Sequence, residues 1–390
     1  MFVLIKDIEI FSPKYLGIKD LLIGQGKILL IDNNISVSWP WETKIYSGSG
    51  KFLMPGLIDQ HVHLIGGGGE AGPTSRTPSG NLSDFSLAGI TTAVGLLGAD
   101  GVTRTPSDLL AKARALEIEG LTTYMYTGTY QYPCPTLTGD FRSDLVLIDK
   151  VLGVGEIALA DHRGSQLSLE LLLKIGSEAR IGGLVGGKPG IVHLHLGDGK
   201  DGLALLFTAQ DEADLPITTF NPTHVNRNKK LFCDALDWLA LGGWIDLTVG
   251  IEPDQVVPDA LNIEASIEQI IKTESALERV TVSSDSFGSL PQFDFQGTLT
   301  DIKIGKPQTL LKEFTNLLKN TNIPWEKTIP LFTSNVAQHL KLNKQKGSIQ
   351  MGFDADVVVL DKDLNIDLVI AKGKPLVEGG YPSVKGAFEN

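Results

Sequence analysis

The sequence predicts an α/β chain, a (β/α)8 TIM barrel with a small discontinuous β-sandwich domain formed by the N- and C-terminal segments. Three observations carry that reading. The middle of the 390-residue chain alternates short β-branched runs with helix-length amphipathic segments, the pattern of βα units around a parallel sheet. Eight such runs fall within about 290 residues, where a barrel typically takes ~250 plus insertions. Both ends instead hold short β-like runs punctuated by Gly, Asn and Pro, without long helical patterns. The expected division is 1–54 and 345–390 for the small β domain and 55–344 for the barrel.

In chain order, the first β-like runs are Phe2–Ile5, Ile8–Phe11, Lys27–Ile31 and Lys44–Ser47. The barrel strands are expected at Leu57–Leu64, Ile90–Leu97, Leu121–Thr127, Val154–Asp161, Ile191–Leu196, Pro216–Asn221, Trp244–Val249 and Val280–Asp285. Helices are expected between several of them, at Ser107–Glu119, Ser168–Ala179, Arg227–Leu241 and Leu261–Leu277. The stretch Gly182–Pro189 (GGLVGGKP) nearly matches a phosphate-binding loop. Pro189 stands where that motif needs Ser or Thr, and a strand follows rather than a helix. Its glycines are read as a loop leading into the fifth strand. The closing β runs are Asp356–Leu360, Leu368–Ala371 and Lys374–Val377.

Composition excludes several classes of function. With 42% hydrophobic and 21% charged residues the chain is too apolar for disorder. Its 34 basic and 46 acidic residues give a net charge of −12, and Lys229-Lys230 is the largest basic cluster. Nucleic acid is therefore not an expected partner. Lys6 and Asp7 interrupt the apolar start MFVLIKDIEIF, and no run of 18 apolar residues exists; neither a signal peptide nor a membrane span is expected. Cys134 and Cys233 form no CxxC motif or disulfide framework. A cytoplasmic protein is the expectation.

The chemistry is concentrated in seven histidines. His61 and His63 are two apart on a strand, so their imidazoles project from one face. That spacing suits two nitrogens converging on a metal such as Zn²⁺. A solvated polar face is the plainer alternative, but Leu57-Ile58 and Leu64-Ile65 flank the pair and argue for burial. His195 ends the fifth strand, His224 follows the sixth and Asp285 ends the eighth. Barrel enzymes gather functional residues at the carboxyl ends of several strands, so these groups share one end. No GxSxG elbow or Cys–His arrangement competes.

The segments MPGLIDQHVHLIGGGGEAGPTSRTP (54–78), PTHVNRN (222–228) and SSDSFGS (283–289) resemble the isoaspartyl (β-aspartyl) dipeptidases of the amidohydrolase superfamily. The resemblance covers nearly the whole chain. HxH and the late Asp are shared across the superfamily, whereas GGGGEAGPT and PTHVNRN are specific to this family. It implies two Zn²⁺ per subunit, with His61 and His63 on one ion and His195 and His224 on the other. Asp285 is implied as a further ligand and proton carrier, with a metal-bridging hydroxide cleaving β-aspartyl dipeptides. Members of the family bridge their metals with a carboxylated lysine on strand four. Here the strand reads VGEIALADHR, and matching its DHR places Glu156 at the bridge. A glutamate offers a similar anionic oxygen pair on a shorter stem, and Gly155 can supply the backbone adjustment. Two cations would compensate a carboxylate that is otherwise costly to bury in VLGVGEIALA.

The resemblance assigns the substrate amine to Glu70, after a glycine run that includes Gly68. It assigns substrate carboxylates to Arg163 and Arg227, the carbonyl or oxyanion to Tyr130, and a further polar contact to Ser289. Arginine forks bind carboxylates bidentately, and two of them create a local positive field in a chain of net charge −12. The chain departs from the family with Ala99 where Thr is expected and Ser79 where Glu is expected. His193 is expected as a barrel-layer residue, His162 beside the site and His339 as structural. A homo-oligomer is implied. The alternatives are hydrolysis of another N-acyl amino acid or a cyclic amide, and a metal-free scaffold; Glu70, Arg163 and Arg227 favour a multiply charged dipeptide.

Overall fold

In the computed structural model, which describes residues 2–253, 259–293 and 298–389, the fold is organised by parallel strands. These are β1 (Leu57–Val62), β2 (Ile90–Gly95), β3 (Thr122–Thr127), β4 (Val151–Leu159), β5 (Ile191–Leu196), β6 (Phe220–Thr223), β7 (Ile245–Thr248) and β8 (Val280–Ser283). β1 to β6 hydrogen-bond in sequential order as one sheet, and β7 pairs with β8. All residues of the eight strands except the half-buried Tyr124 of β3 are buried, which explains continuous apolar runs in place of alternation. The two groups meet at both seams. His63 N donates to Ser286 O at 2.9 Å, so β1 continues the ladder beyond β8. Across the other seam Thr223 Oγ1 donates to Asp246 Oδ2 at 2.7 Å and Thr248 N to Asn226 Oδ1 at 3.0 Å. The architecture is a TIM-barrel-like domain with an added sheet.

That added β layer is continuous. Nine strands drawn from residues 2–55 and 357–382 share one sheet, so the expected sandwich is realised as one bonded sheet around its own core of Val3, Ile5, Ile10, Leu21, Val357 and Val359.

The differences from the expected elements have local causes. The sixth strand starts at Phe220 because Ile217–Thr219 form a 3₁₀ turn after Pro216, which lacks an N–H for a ladder. Gly182, Gly183 and Gly186 are helical rather than part of a loop: the helix Leu169–Gly186, capped by Ser168 Oγ, ends at Gly187 in the left-handed region. A Cβ on Gly183 would lie 2.5 Å from Gly190 Cα, so glycine permits close packing of helix on strand entry, and burial outweighs its low helix propensity. A strand at Tyr15–Gly24 and an antiparallel hairpin, Ser289–Phe293 with Leu299–Ile304, stand where none was expected. Gly17 and Pro291 interrupt the apolar patterns of these runs. Among the described residues no helix is long and apolar enough to cross a membrane.

The C-terminal segment is fixed to the barrel by Lys346, 3% exposed. Its ammonium lies 2.9 Å from Asp354 Oδ2 and 2.5 Å from Asp356 Oδ2, and donates to Thr122 Oγ1 at the start of β3. Burial opposes the charge, but the two aspartates raise its pKa above the ordinary lysine value. Lys346→Met would leave the buried Asp356 carboxylate without its cation, while Asp354 keeps Lys27 at 2.6 Å, and should cost about 3–5 kcal/mol. Urea denaturation checks this, and a loss below about 1 kcal/mol would show that the pair is not structural.

Candidate metal centre and substrate pocket

The centre is built at the carboxyl ends of the strands. β1 delivers His61, with His63 just past its end, the middle of β4 delivers Glu156, β5 delivers His195, and His224 and Asp285 follow β6 and β8 within two residues. Ladder register brings them level, since His195 pairs with Ala158 on one side and Thr223 on the other. His224 and Asp285 adopt φ of +61° and +52°. Such backbone costs a non-glycine residue about 1–3 kcal/mol and is held by its surroundings. Here it turns both side chains back over the barrel end.

Glu156 lies at the middle, wholly buried. Its Oε2 is 3.2 Å from His195 Nδ1, 3.4 Å from His61 Nε2 and 3.7 Å from His224 Nε2, and its Oε1 is 3.4 Å from His63 Nε2. Asp285 Oδ1 faces the same pair, at 3.4 Å from His61 Nε2 and 3.2 Å from His63 Nε2. Ligand-capable atoms of His61, His63 and Asp285 all lie within 4.8 Å of one another, as do those of His61, Glu156 and His224. His61 Nε2, His224 Nε2, Glu156 Oε1 and Asp285 Oδ1 are buried without a hydrogen-bond partner. Orphaned nitrogen and carboxylate atoms aimed at one another are the donor set of a divalent metal site, and Zn²⁺ is compatible with them.

The electrostatics match. Burial works to raise the Glu156 pKa, but His61 and hydrogen bonds from His195 and His224 hold it well below the carboxylate range. Burial opposes ionisation of Asp285 as well, and His61 and His63 keep its pKa low. Burial disfavours a charged His61, yet Glu156 and Asp285 raise its pKa well above the usual value. His224 is pushed down to about 3, chiefly by burial. The protein thus holds two buried anions whose compensation is a proton or a metal.

His195 lies at the edge of the cluster, outside both ligand groupings. Its Nδ1 faces Tyr130 Oη at 2.8 Å as well as Glu156, while its Nε2 faces Asp161 Oδ2 at 3.0 Å. His193 lies one layer below, with Nε2 2.9 Å from His61 Nδ1 and Nδ1 3.0 Å from Asn221 Nδ2; it orients His61 from behind. His162 is exposed beside the site.

A cavity of about 360 Å³ opens over the centre, lined by Gly68, Glu70, Ala99, Tyr130, Arg163, Arg227 and Ser289 among others, within the range that holds small ligands. Ser289 Oγ donates to Glu70 at 2.9 Å and Arg163 Nη1 approaches Glu70 Oε1 at 3.3 Å. Arg163 also grips Asp161 bidentately, Nε to Oδ1 at 3.0 Å and Nη2 to Oδ2 at 2.7 Å, and its guanidinium lies 5.4 Å from the Tyr130 ring centroid. Arg227 faces Asp198 at 3.6 Å, and its buried Nε has no partner.

Several residues here were not singled out from sequence. Asp161 holds Arg163 and His195; its place two residues before Arg163 was the available signal. Lys303 reaches the cavity from the unexpected hairpin. Arg104, buried, donates to Ile65 O, Gly67 O and Thr77 O and so pins the glycine loop that carries Glu70.

The Amidohydrolase family model matches residues 260–376. The structure is similar to that of a β-aspartyl dipeptidase from Fervidobacterium islandicum AW-1 in complex with β-Asp-Leu dipeptide, at 41% identity and a TM-score of 0.91, covering 98% of this chain and 99% of that one. A second structure of the β-aspartyl dipeptidase from that bacterium gives 39% identity, a TM-score of 0.89, and the same coverage. A dihydropyrimidinase from Brevibacillus agri shares the fold at 14% identity and a TM-score of 0.69, covering 99% of this chain and 97% of that one. A local match, 43% identical over 58 residues, joins the chain to a dihydroorotase of Bacillus cytotoxicus and spans 15% of this chain and 13% of that protein. On identity that extends over almost the entire length of both chains, this protein belongs to the β-aspartyl dipeptidase family, a hydrolase family of the amidohydrolase superfamily.

Proposed function

We propose that the protein hydrolyses β-aspartyl dipeptides at a centre of two zinc ions per subunit, with residues 55–344 carrying the chemistry and 1–54 with 345–390 forming the supporting domain. The observation that carries this reading is the wholly buried Glu156 carboxylate among histidines and Asp285, with ligand atoms left unpartnered. In the proposed assignment His61, His63 and Asp285 would hold one ion, His195 and His224 the other, and the Glu156 carboxylate would serve as a ligand at the same centre. When bound, such ions polarise the scissile carbonyl and activate water near neutral pH.

The remaining work falls to the chain. Glu70 receives the substrate α-amine, with Ser289 fixing the carboxylate and Gly68 leaving the approach open. Arg227, whose Nε is unpaired, and Arg163 take the substrate carboxylates. The Tyr130 hydroxyl stands beside His195, where it can donate to the carbonyl oxygen as negative charge develops. Its pKa is raised well above that of free tyrosine, chiefly by burial, so it remains a donor. Asp285 accepts a proton at its carboxylate and returns it to the leaving nitrogen. A cytoplasmic homo-oligomer completes the proposal, with two free cysteines consistent with a reducing compartment.

Hydrolysis of β-Asp-Leu against α-Asp-Leu, with and without added zinc, tests the assignment. Metal-dependent cleavage of the β-linked peptide alone is expected, and Glu156→Gln should lower it by roughly a hundredfold or more. No cleavage by metal-replete protein would redirect the assignment to N-acyl amino acids or cyclic amides. Glu70→Gln should raise KM about tenfold with a smaller effect on kcat, because a charge-assisted bond to the amine is worth ~1.5–3 kcal/mol; an unchanged KM would remove Glu70 from amine recognition.

Protons and metal compete for the same atoms. Because their carboxylate neighbours raise the pKa values of His61 and His63, these groups hold protons to higher pH, and metal affinity should fall as pH falls. About one decade per pH unit is expected for each proton displaced. Chelator-competition titrations at pH 6 and pH 8 measure this, and equal affinities would contradict it.

A further inference from the structure

A second cavity, of about 280 Å³, lies at the opposite end of the barrel, where β5 to β8 begin. Three cations converge on it from separate elements: Arg180 from the helix before β5, Arg279 from the turn before β8, and Lys341 just after the helix Ser334–His339. None of the three forms an ion pair with a carboxylate among the described residues. Arg279 donates to Gly242 O and Lys341 Nζ donates to Lys188 O at 2.7 Å. Burial and the neighbouring Arg180 guanidinium hold the Lys341 ammonium below its ordinary pKa. Like charges are therefore gathered here without a counter-charge, in a protein of net charge −12.

The polar lining repeats the pattern. His339 and Thr219, 5% and 3% exposed, both line the cavity, and His339 Nε2 and Thr219 Oγ1 are buried without hydrogen-bond partners. Buried donors with no partner are uncommon in native proteins and mark places where something else supplies one. The Trp244 ring, 4.7 Å from that of His339, walls one side.

We propose that this cavity is a binding site for a phosphate-class oxyanion, distinct from the hydrolytic centre. Guanidinium forks, an ammonium, an imidazole and a hydroxyl are the groups that grip tetrahedral oxyanions. The volume lies just below the usual range of organic-ligand pockets, leaving space beside an anion for a small substituent. The source is therefore inorganic phosphate or a small phosphate monoester.

Calorimetric titration of the full-length protein with inorganic phosphate and, separately, with glycerol 3-phosphate tests the site. Saturable binding of at least one is expected, weakened at least tenfold by Arg180→Ala with Arg279→Ala and retained in Arg227→Ala, which removes an anion-binding group from the other cavity. Lys341→Gln, at an exposed position, should weaken binding several-fold and serves if the double variant does not fold. Equal affinity for both probes identifies an inorganic anion site; tighter binding of the ester identifies a site for its organic part as well. Absence of saturable binding would overturn the proposal, as would binding that Arg227→Ala abolishes and the Arg180, Arg279 and Lys341 variants leave unchanged.

Discussion

A carboxylate at the centre of a barrel end governs this structure. Glu156 has no accessible surface, and an uncompensated charge in that position would cost several kcal/mol. Histidines from three other strand ends surround it, and the backbone bends to bring them there. Gly155 is part of the same solution. A Cβ there would lie 2.8 Å from His193 O, so glycine lets β4 press close to β5 just where the short glutamate stem must reach inward. The buried charge, the bare glycine and the left-handed backbone at His224 and Asp285 are one arrangement seen from different residues.

A second buried carboxylate holds the layer beneath. Asp246 accepts from Gln60 Nε2 at 2.7 Å, Thr281 Oγ1 at 2.6 Å, Ser283 Oγ at 2.5 Å and Thr223 Oγ1 at 2.7 Å. These donors come from β1, β6 and β8, so one side chain on β7 ties the two seams of the barrel together. Asp59 does similar work between β1 and the end of β8, accepting from Ser284 N at 3.1 Å. Gln60 Oε1 and Asn221 Oδ1 stay unpartnered in this layer, and above it His61 Nε2, His224 Nε2, Glu156 Oε1 and Asp285 Oδ1 lie unpartnered at the proposed metal centre. In the substrate cavity Glu70 and Arg163 engage each other and must exchange partners when a zwitterion enters, while Arg227 offers an Nε that needs no exchange.

Much of this was legible because it repeats along the chain. The eight strands announced themselves as apolar, β-branched runs at regular spacing, and the HxH pair, His224 and Asp285 followed from where those runs end. What the residues could not announce were contacts set by three-dimensional approach. The glycines near 183 read as a loop because helix propensity disfavours them, whereas the packing of helix on strand requires them. Pro291 hid a strand that brings Lys303 to the cavity, and the side of His195 that turns to Asp161 depends on a partner in another loop. The cationic cavity at the barrel base was equally silent, because Arg180, Arg279 and Lys341 are far apart in sequence and form no motif.

The most direct test of the central claim is anomalous diffraction at the zinc edge from crystals grown with zinc. The account predicts two strong peaks, one among His61, His63 and Asp285 and one beside His224 and His195, with Glu156 between them. Crystals of zinc-saturated protein with no anomalous peak at these residues would contradict it.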